Sequence, residues 1–226
     1  MEKVLRAIKN QGFQRTELDF SHPIVVHGVP GCGKTTLLRE LNNDPNIVVV
    51  SNRTDCCKNL HGYSFHQERS TGKLNILDEY TEAEDIVGFD FLFGDPLQSK
   101  DQTKIRPAHF IKELSLRVPK EVCTLLSNLG FSIKSEVEGE VRYFDLFEDP
   151  GSGERVTPDK EIAEYASRQG INLKCSCEIQ GLEFEEVIVY LQSTDISKFR
   201  PEFFISCTRA KKVLKFAMPG HFNGSE

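Results

Sequence analysis

The chain predicts an α/β protein of two units with mostly parallel sheets, on three observations. The apolar run Pro23-Ile24-Val25-Val26-His27 leads through a glycine-rich turn into Leu37-Leu38-Arg39-Glu40-Leu41, which reads as strand, loop and helix. Further strand-like and helix-like stretches then alternate, and that alternation implies parallel sheets with helices on both faces. Finally, 226 residues suit one large domain or two small ones. The polar, charged, strand-free stretch at residues 99–107 reads as a linker, which sets the expected units at residues 1–107 and 108–226.

Taken in order, residues 2–15 carry Val4, Leu5, Ile8 and Phe13 at the spacing of a short amphipathic helix, and Gln14 is a candidate adenine reader. Residues 47–50, 73–77 and 89–93 are short apolar strands. Gly151-Ser152-Gly153 marks a loop, residues 159–168 read as a helix, residues 185–191 as a buried strand, and residues 202–206 as a further element. There is no internal repeat and no low-complexity segment.

The turn after the first apolar run is Gly28-Val29-Pro30-Gly31-Cys32-Gly33-Lys34-Thr35, with Thr36 following, and it fits G-x-x-x-x-G-K-[ST] at every fixed position. Gly31 and Gly33 allow a tight backbone turn whose N–H groups point inward at a helix N-terminus, a cradle for phosphate oxygens. Lys34 is expected to reach the β- and γ-phosphates, and the Thr35 hydroxyl to take a place on Mg²⁺. Asp78-Glu79 ends the strand at residues 73–77, at the sheet edge where ligands bind in parallel sheets. Asp78 is the expected Mg²⁺ carboxylate and Glu79 the group that orients or deprotonates the attacking water. Gly94-Asp95-Pro96-Leu97-Gln98 follows the next strand, and Gln98 is placed to sense a γ-phosphate or the lytic water. A solvated acidic loop and an ordinary Gly-Asp-Pro turn are the plainer readings of these two segments taken alone.

Composition narrows the classes. Hydrophobic residues at 38% and charged residues at 27% describe an ordinary core-forming chain without Trp. The longest apolar runs fall far short of the roughly 20 residues of a membrane helix, and Met1-Glu2-Lys3 opens no signal-peptide core. The expectation is a protein neither secreted nor membrane-spanning. Seven cysteines (Cys32, Cys56, Cys57, Cys123, Cys175, Cys177, Cys207) form an odd set without a disulfide framework, which fits a reducing cytoplasm. Cys56-Cys57 with His61 and His66 resembles a metal site only loosely, since adjacent cysteines point apart and C-x-x-C spacing is missing. The net charge of −6 neither establishes nor excludes RNA, because the basic residues Lys198, Arg200, Arg209, Lys211, Lys212 and Lys215 cluster near the C-terminus.

Ser115-Leu116-Arg117-Val118-Pro119, Gln180-Gly181-Leu182-Glu183-Phe184 and Ser206-Cys207-Thr208-Arg209 complete a collinear series. With the phosphate loop, Leu77-Asp78-Glu79-Tyr80 and Gly94–Gln98, they resemble motifs I to VI of superfamily one helicases, closest to the RNA-virus branch. The short chain is similar to the first triple-gene-block protein of potexviruses and carlaviruses. That resemblance spans residues 24–212 and implies two RecA-like P-loop units with ATP, or another NTP, in the cleft between them. It assigns Arg117 and Arg209 to the triphosphate, a role suited to planar, permanently charged guanidinium groups. It places Glu183 near the ribose with Gly181 allowing close approach, and Ser51, Asn52 and Thr54 in the loosely matched segment that contacts nucleic acid. It further implies Mg²⁺, single-stranded viral RNA, self-association, and contacts with other viral movement proteins, coat protein and host silencing factors. The implied function is an RNA-stimulated ATPase or helicase that remodels viral RNA for cell-to-cell movement through plasmodesmata and suppresses host RNA silencing, from the host cytoplasm.

Two other classes remain open at this level. A P-loop kinase or NTPase acting on a small molecule would turn over ATP indifferently to RNA. A self-associating binding protein with a relic ATP site would keep its biology after Lys34→Ala. Unwinding and mere remodelling are not separated by the sequence either.

Overall fold

A computed structural model describes residues 1–51, 65, 68–146 and 148–219, and divides the chain into two compact units, Met1–Leu114 and Ser115–Glu226. The first opens with helix α1 (Glu2–Asn10), strand β1 (Gln14–Arg15), strand β2 (Ile24–Gly28) and helix α2 (Lys34–Asn42). Strands β3 (Ile47–Ser51), β4 (Leu74–Asp78), β5 (Phe91–Gly94) and β6 (Phe110–Lys112) follow. Their sheet runs β1-β6-β2-β5-β4-β3, parallel throughout except for the antiparallel edge pair β1–β6. Strands covered on both faces read as near-continuous apolar runs. Accordingly Val26, Ile76, Phe91, Leu92 and Phe93 are fully buried, and Val25, Val48, Val50, Leu77 and Leu92 share one core cluster with Tyr80. α1 buries Val4 and Ile8, two residues of its apolar stripe.

The expected boundary after residue 107 moves. Phe110 lies opposite Val26 in β6, so residues 108–114 belong to the first unit. The stretch at residues 99–107 is tied down inside that unit: Lys104 Nζ donates to Ala83 O at 3.0 Å, and the Arg106 N–H donates to Tyr80 Oη at 3.1 Å. Polar composition suggests a linker, whereas its donors serve the turn after β4.

A short strand β7 (Leu114–Ser115) pairs with β8 (Lys134–Ser135) around helix α3 (Lys120–Asn128). The second unit continues with β9 (Glu140–Asp145), β10 (Glu154–Thr157), helix α4 (Lys160–Arg168), β11 (Lys174–Cys175), helix α5 (Ser176–Ile179), β12 (Phe184–Tyr190), helix α6 (Arg200–Cys207) and β13 (Ala210–Met218). Its larger sheet is wholly parallel in the order β11-β10-β12-β13-β9. Asp159 caps α4, its carboxylate accepting from the Glu161 N–H at 2.9 Å. Val187, Ile188, Val189, Leu214 and Phe216 form the sheet's interior, and Phe131 stacks on Phe204 at 5.1 Å.

Within the C-terminal basic cluster, Lys211 and Lys212 pair at the surface with Glu185 at 2.7 and 3.0 Å, and Lys215 is buried against Glu186 at 2.7 Å. Cys175, at the end of β11, and Cys177, in α5, are joined in a disulfide with their Cα atoms 5.4 Å apart, which the odd cysteine set did not suggest. Cys56, Cys57, His61, His66, Asn52 and Thr54 lie outside the described residues. Among the described residues, no helix is long and apolar enough to cross a membrane, and no cluster of His, Cys, Asp and Glu has the makings of a metal site.

Candidate nucleotide site

The phosphate-loop residues sit between β2 and α2, at the carboxyl end of a central parallel strand. Gly31 and Gly33 both take positive φ, 73° and 98°, a backbone region that costs an L-residue about 1–2 kcal/mol. Gly28 is demanded by packing: a Cβ there would stand 2.5 Å from Cys32 Sγ, 3.1 Å from the Phe13 ring and 3.3 Å from Lys34 Cγ. α2 then begins at Lys34 with no side-chain cap and no acidic residue in its first turn, which holds Thr35 and Thr36. Its leading N–H groups and the positive end of its dipole have the chemistry that suits an anion.

Lys34 is buried, and its ammonium folds back on its own loop, donating to Gly28 O and to Val29 O. Burial pulls its pKa down, yet Cys32, Asp95, Glu79 and Asp78 together push it above the usual lysine value. The lysine therefore holds its proton among acidic groups from the ends of β4 and β5. Burial raises the Asp95 carboxyl, as does Glu79, while Lys34, Gln98 and the Leu97 N–H pull it back. Gln98 donates to Asp95 Oδ2 at 2.7 Å, so the residue expected to sense the γ-phosphate is held by a carboxylate that itself feels Lys34.

Asp78 is buried at the end of β4 and accepts from Ser51 Oγ at 3.4 Å. Ser51, expected on the nucleic-acid side, thus touches the Asp78 carboxylate, its partner across the β3–β4 register. Glu79 is buried too and is the only non-glycine with positive φ, 54°, among the described residues. Such left-handed conformations in non-glycine residues concentrate at functional sites.

Tyr80 and His27 carry a signal that sequence reading passes over. His27 Nε2 and Tyr80 Oη lie 2.8 Å apart with rings stacked at 5.9 Å. Burial, then the Lys34 charge, lowers the His27 pKa to about 4, so the ring is neutral at pH 7. The aromatic side chain following the Asp-Glu pair is visible in the sequence, but its partner is not. Gln14 is exposed on the edge strand β1. Gln11 reaches the loop, its amide lying where a Cβ on Gly33 would be.

In the second unit, Arg117, Glu183 and Thr208 come together. Arg117 Nη1 donates to Glu183 Oε1 and Nη2 to Thr208 O at 3.3 Å, while its buried Nε has no hydrogen-bond partner among the described residues. Gly181, φ 86°, makes the turn that delivers Glu183. Arg209 is 2% exposed; its Nε donates to Ile205 O and its Nη2 to Thr208 Oγ1, both at 3.1 Å.

Residues 24–218 match the viral superfamily 1 RNA helicase core domain. The chain is 32% identical over 222 residues to the movement and silencing protein TGBp1 of Apple stem pitting virus (isolate PA66), covering 95% of this chain and 98% of that protein. It is 33% identical over 227 residues to the protein of the same name from Poplar mosaic virus (isolate ATCC Pv275), covering 97% of each. Among solved structures, a PRRSV helicase superposes with a TM-score of 0.61 at 17% identity, over 88% of this chain and 53% of that one. An arterivirus nonstructural protein 10 helicase gives 0.55 at 15% identity, over 98% and 58%. The chain thus spans a little over half the length of these helicases, whose likeness concerns the fold. With a family domain across nearly its whole length and relatives above 30% identity end to end, the chain belongs to the viral superfamily 1 RNA helicases, among the movement and silencing TGBp1 proteins.

Proposed function

We propose that the chain is an RNA-stimulated ATPase that remodels viral RNA, and that this activity serves cell-to-cell movement through plasmodesmata and suppression of host silencing. The observation that carries the reading is the buried Lys34 ammonium, bonded to Gly28 O and Val29 O and, against the cost of burial, held charged by Cys32, Asp95, Glu79 and Asp78. A cation on its own loop carbonyls beside a helix N-terminus suits a polyanion that displaces those carbonyls. Lys34 then binds the β- and γ-phosphates, and the N–H groups of the loop and of α2 take the remaining oxygens.

Thr35 and Asp78 fit Mg²⁺, since both offer hard oxygen donors and Asp78 is buried beside the loop. Bound there, Mg²⁺ would neutralise charge on the β- and γ-phosphate oxygens. Glu79 orients or deprotonates the attacking water, and Gln98, held by Asp95, senses the γ-phosphate. Arg117 and Arg209 act on the phosphates, and Glu183 on the ribose. For Arg117 that role requires release from Glu183, which makes the ion pair a resting state.

RNA is the expected partner, gripped through its backbone with little sequence reading. An arterivirus nonstructural protein 10 helicase solved in complex with DNA superposes with a TM-score of 0.54, which supports a nucleic-acid ligand for this fold. Self-association and contacts with other movement proteins, coat protein and silencing factors belong to the same proposal, as does a site of action in the host cytoplasm. ATP turnover measured with and without single-stranded RNA tests it. Stimulation by RNA is the expected result; turnover indifferent to RNA would instead favour a small-molecule P-loop enzyme.

A further inference from the structure

Tyr80 directly follows the Asp78-Glu79 pair and is 1% exposed in the interior of the first unit. Its side chain meets three segments that flank the candidate site. Its ring stacks on His27 of β2, the residue that immediately precedes the phosphate loop. Its ring also lies across Gly94: a Cβ there would stand 2.9 Å from both Cδ1 and Cε1 of Tyr80, so Gly94 is glycine to admit the ring. The next residue, Asp95, is the carboxylate that holds Gln98. The hydroxyl accepts from the Arg106 N–H at 3.1 Å and lies 2.8 Å from His27 Nε2.

These contacts surround a residue in an unfavourable backbone state. Glu79 sits at φ 54° and ψ 48°, and the chain turns from there into the short 3-10 segment Tyr80–Glu82. Nothing about a glutamate favours that conformation, so neighbouring structure must impose it. The Glu82 N–H donates to Glu79 O at 3.0 Å, and the Ala83 N–H to Tyr80 O at 3.1 Å, which fixes the turn on its C-terminal side. On the other side Asp78 is locked in register by β3 and β5.

We propose that Tyr80 is a positioning residue for the water-activating carboxylate: fastened to His27, Gly94 and Arg106, it holds Glu79 in its left-handed turn, facing the Lys34 cradle. This rests on the reading of Glu79 as the group that handles the attacking water. It also gives the segment at residues 99–107 a task, because its backbone supplies one of the fastenings. Any movement of that segment would be felt at Glu79 through the Tyr80 hydroxyl.

Tyr80→Phe removes the hydroxyl, and with it the contacts to His27 and to the Arg106 N–H, but keeps the ring, so the core stays filled; His27→Phe removes the His27 contact alone and keeps a ring for the stack. Each is expected to lower kcat for ATP roughly fivefold to tenfold, with KM and equilibrium binding of a fluorescent ATP analogue within about twofold, since a catalytic group and not a binding group is displaced. A role acting only through Glu79 also predicts non-additivity. In Glu79→Asp, whose shortened carboxylate already misses the water, Tyr80→Phe should cost less than about twofold. Unchanged kcat in both Tyr80→Phe and His27→Phe, or equal fold losses in the wild-type and Glu79→Asp backgrounds, would overturn the proposal while Glu79→Gln remains inactive. Normal turnover by Glu79→Gln would overturn it together with the reading beneath it.

Discussion

Gly28→Ala offers a calculable test of the phosphate loop. The added methyl would lie 2.5 Å from Cys32 Sγ, about 1 Å inside ordinary contact, with the Phe13 ring and Lys34 Cγ closing other directions at 3.1 and 3.3 Å. Cys32 is 1% exposed and Phe13 4%, so neither has room to retreat without moving the loop or the segment that joins α1 to β1. Overpacking of this kind costs about 1–3 kcal/mol, which lowers the thermal midpoint by roughly 2–12 °C in a chain of this size. Because the clash presses on Lys34 Cγ and the loop, the KM for ATP should rise as well. Replacing the thiol removes the worst contact, so Gly28→Ala/Cys32→Ala should recover about half of the lost stability. Thermal melts of the two single variants and the double variant, followed by circular dichroism, supply the comparison. A Gly28→Ala protein as stable as wild type, or a double variant whose losses simply add, would refute the packing argument.

Other outcomes follow from the same geometry. The His27 pKa lies near 4 in the folded protein against 6.5 unfolded. The unfolded chain therefore binds the extra proton between those values, and stability present above pH 6.5 is lost as pH falls towards 4, by about 3 kcal/mol at most. Urea titrations at pH 7 and pH 4.5 should show a smaller acid loss in His27→Gln than in wild type; equal losses would refute the assignment. Glu183→Gln removes a carboxylate whose side chain is 43% exposed, so stability should change by less than about 1 kcal/mol. The freed Arg117 should alter ATP turnover all the same, and a variant unchanged in steady-state kinetics would deny the pair a gating role. Arg117→Lys keeps the charge but loses the planar fork that reaches both Glu183 and Thr208 O. At least a tenfold drop in kcat with unchanged melting is expected, and near-normal turnover would remove Arg117 from the chemistry.

Much of the first unit is legible because its strands are covered on both faces. Ile24–Gly28, Ile47–Ser51 and Leu74–Asp78 announce themselves as apolar runs, and glycine spacing marks the loop between β2 and α2. The second unit hides its strands better. β13 contains Lys211, Lys212 and Lys215, which read as a basic cluster and pair with Glu185 and Glu186 of neighbouring β12. β9 mixes Glu140, Arg142 and Asp145 into six residues at a sheet edge, where one side needs no apolar cover. Residues 99–107 pass for a linker because polarity reports solvent contact only on average: Lys104 and Arg106 spend their donors on Ala83 and Tyr80. Site residues can be named from spacing, but the left-handed turn at Glu79 and the ring that braces it depend on contacts far apart in the chain.

The central claim is that Lys34 and its surrounding carboxylates form a triphosphate-hydrolysing site coupled to RNA. Phosphate release from ATP, measured on matched preparations of wild type and Lys34→Ala with and without single-stranded RNA, tests that most directly. Wild type should hydrolyse ATP faster when RNA is added, and Lys34→Ala should fall to background under both conditions while keeping its circular dichroism spectrum. Equal hydrolysis by the folded Lys34→Ala protein would contradict the account.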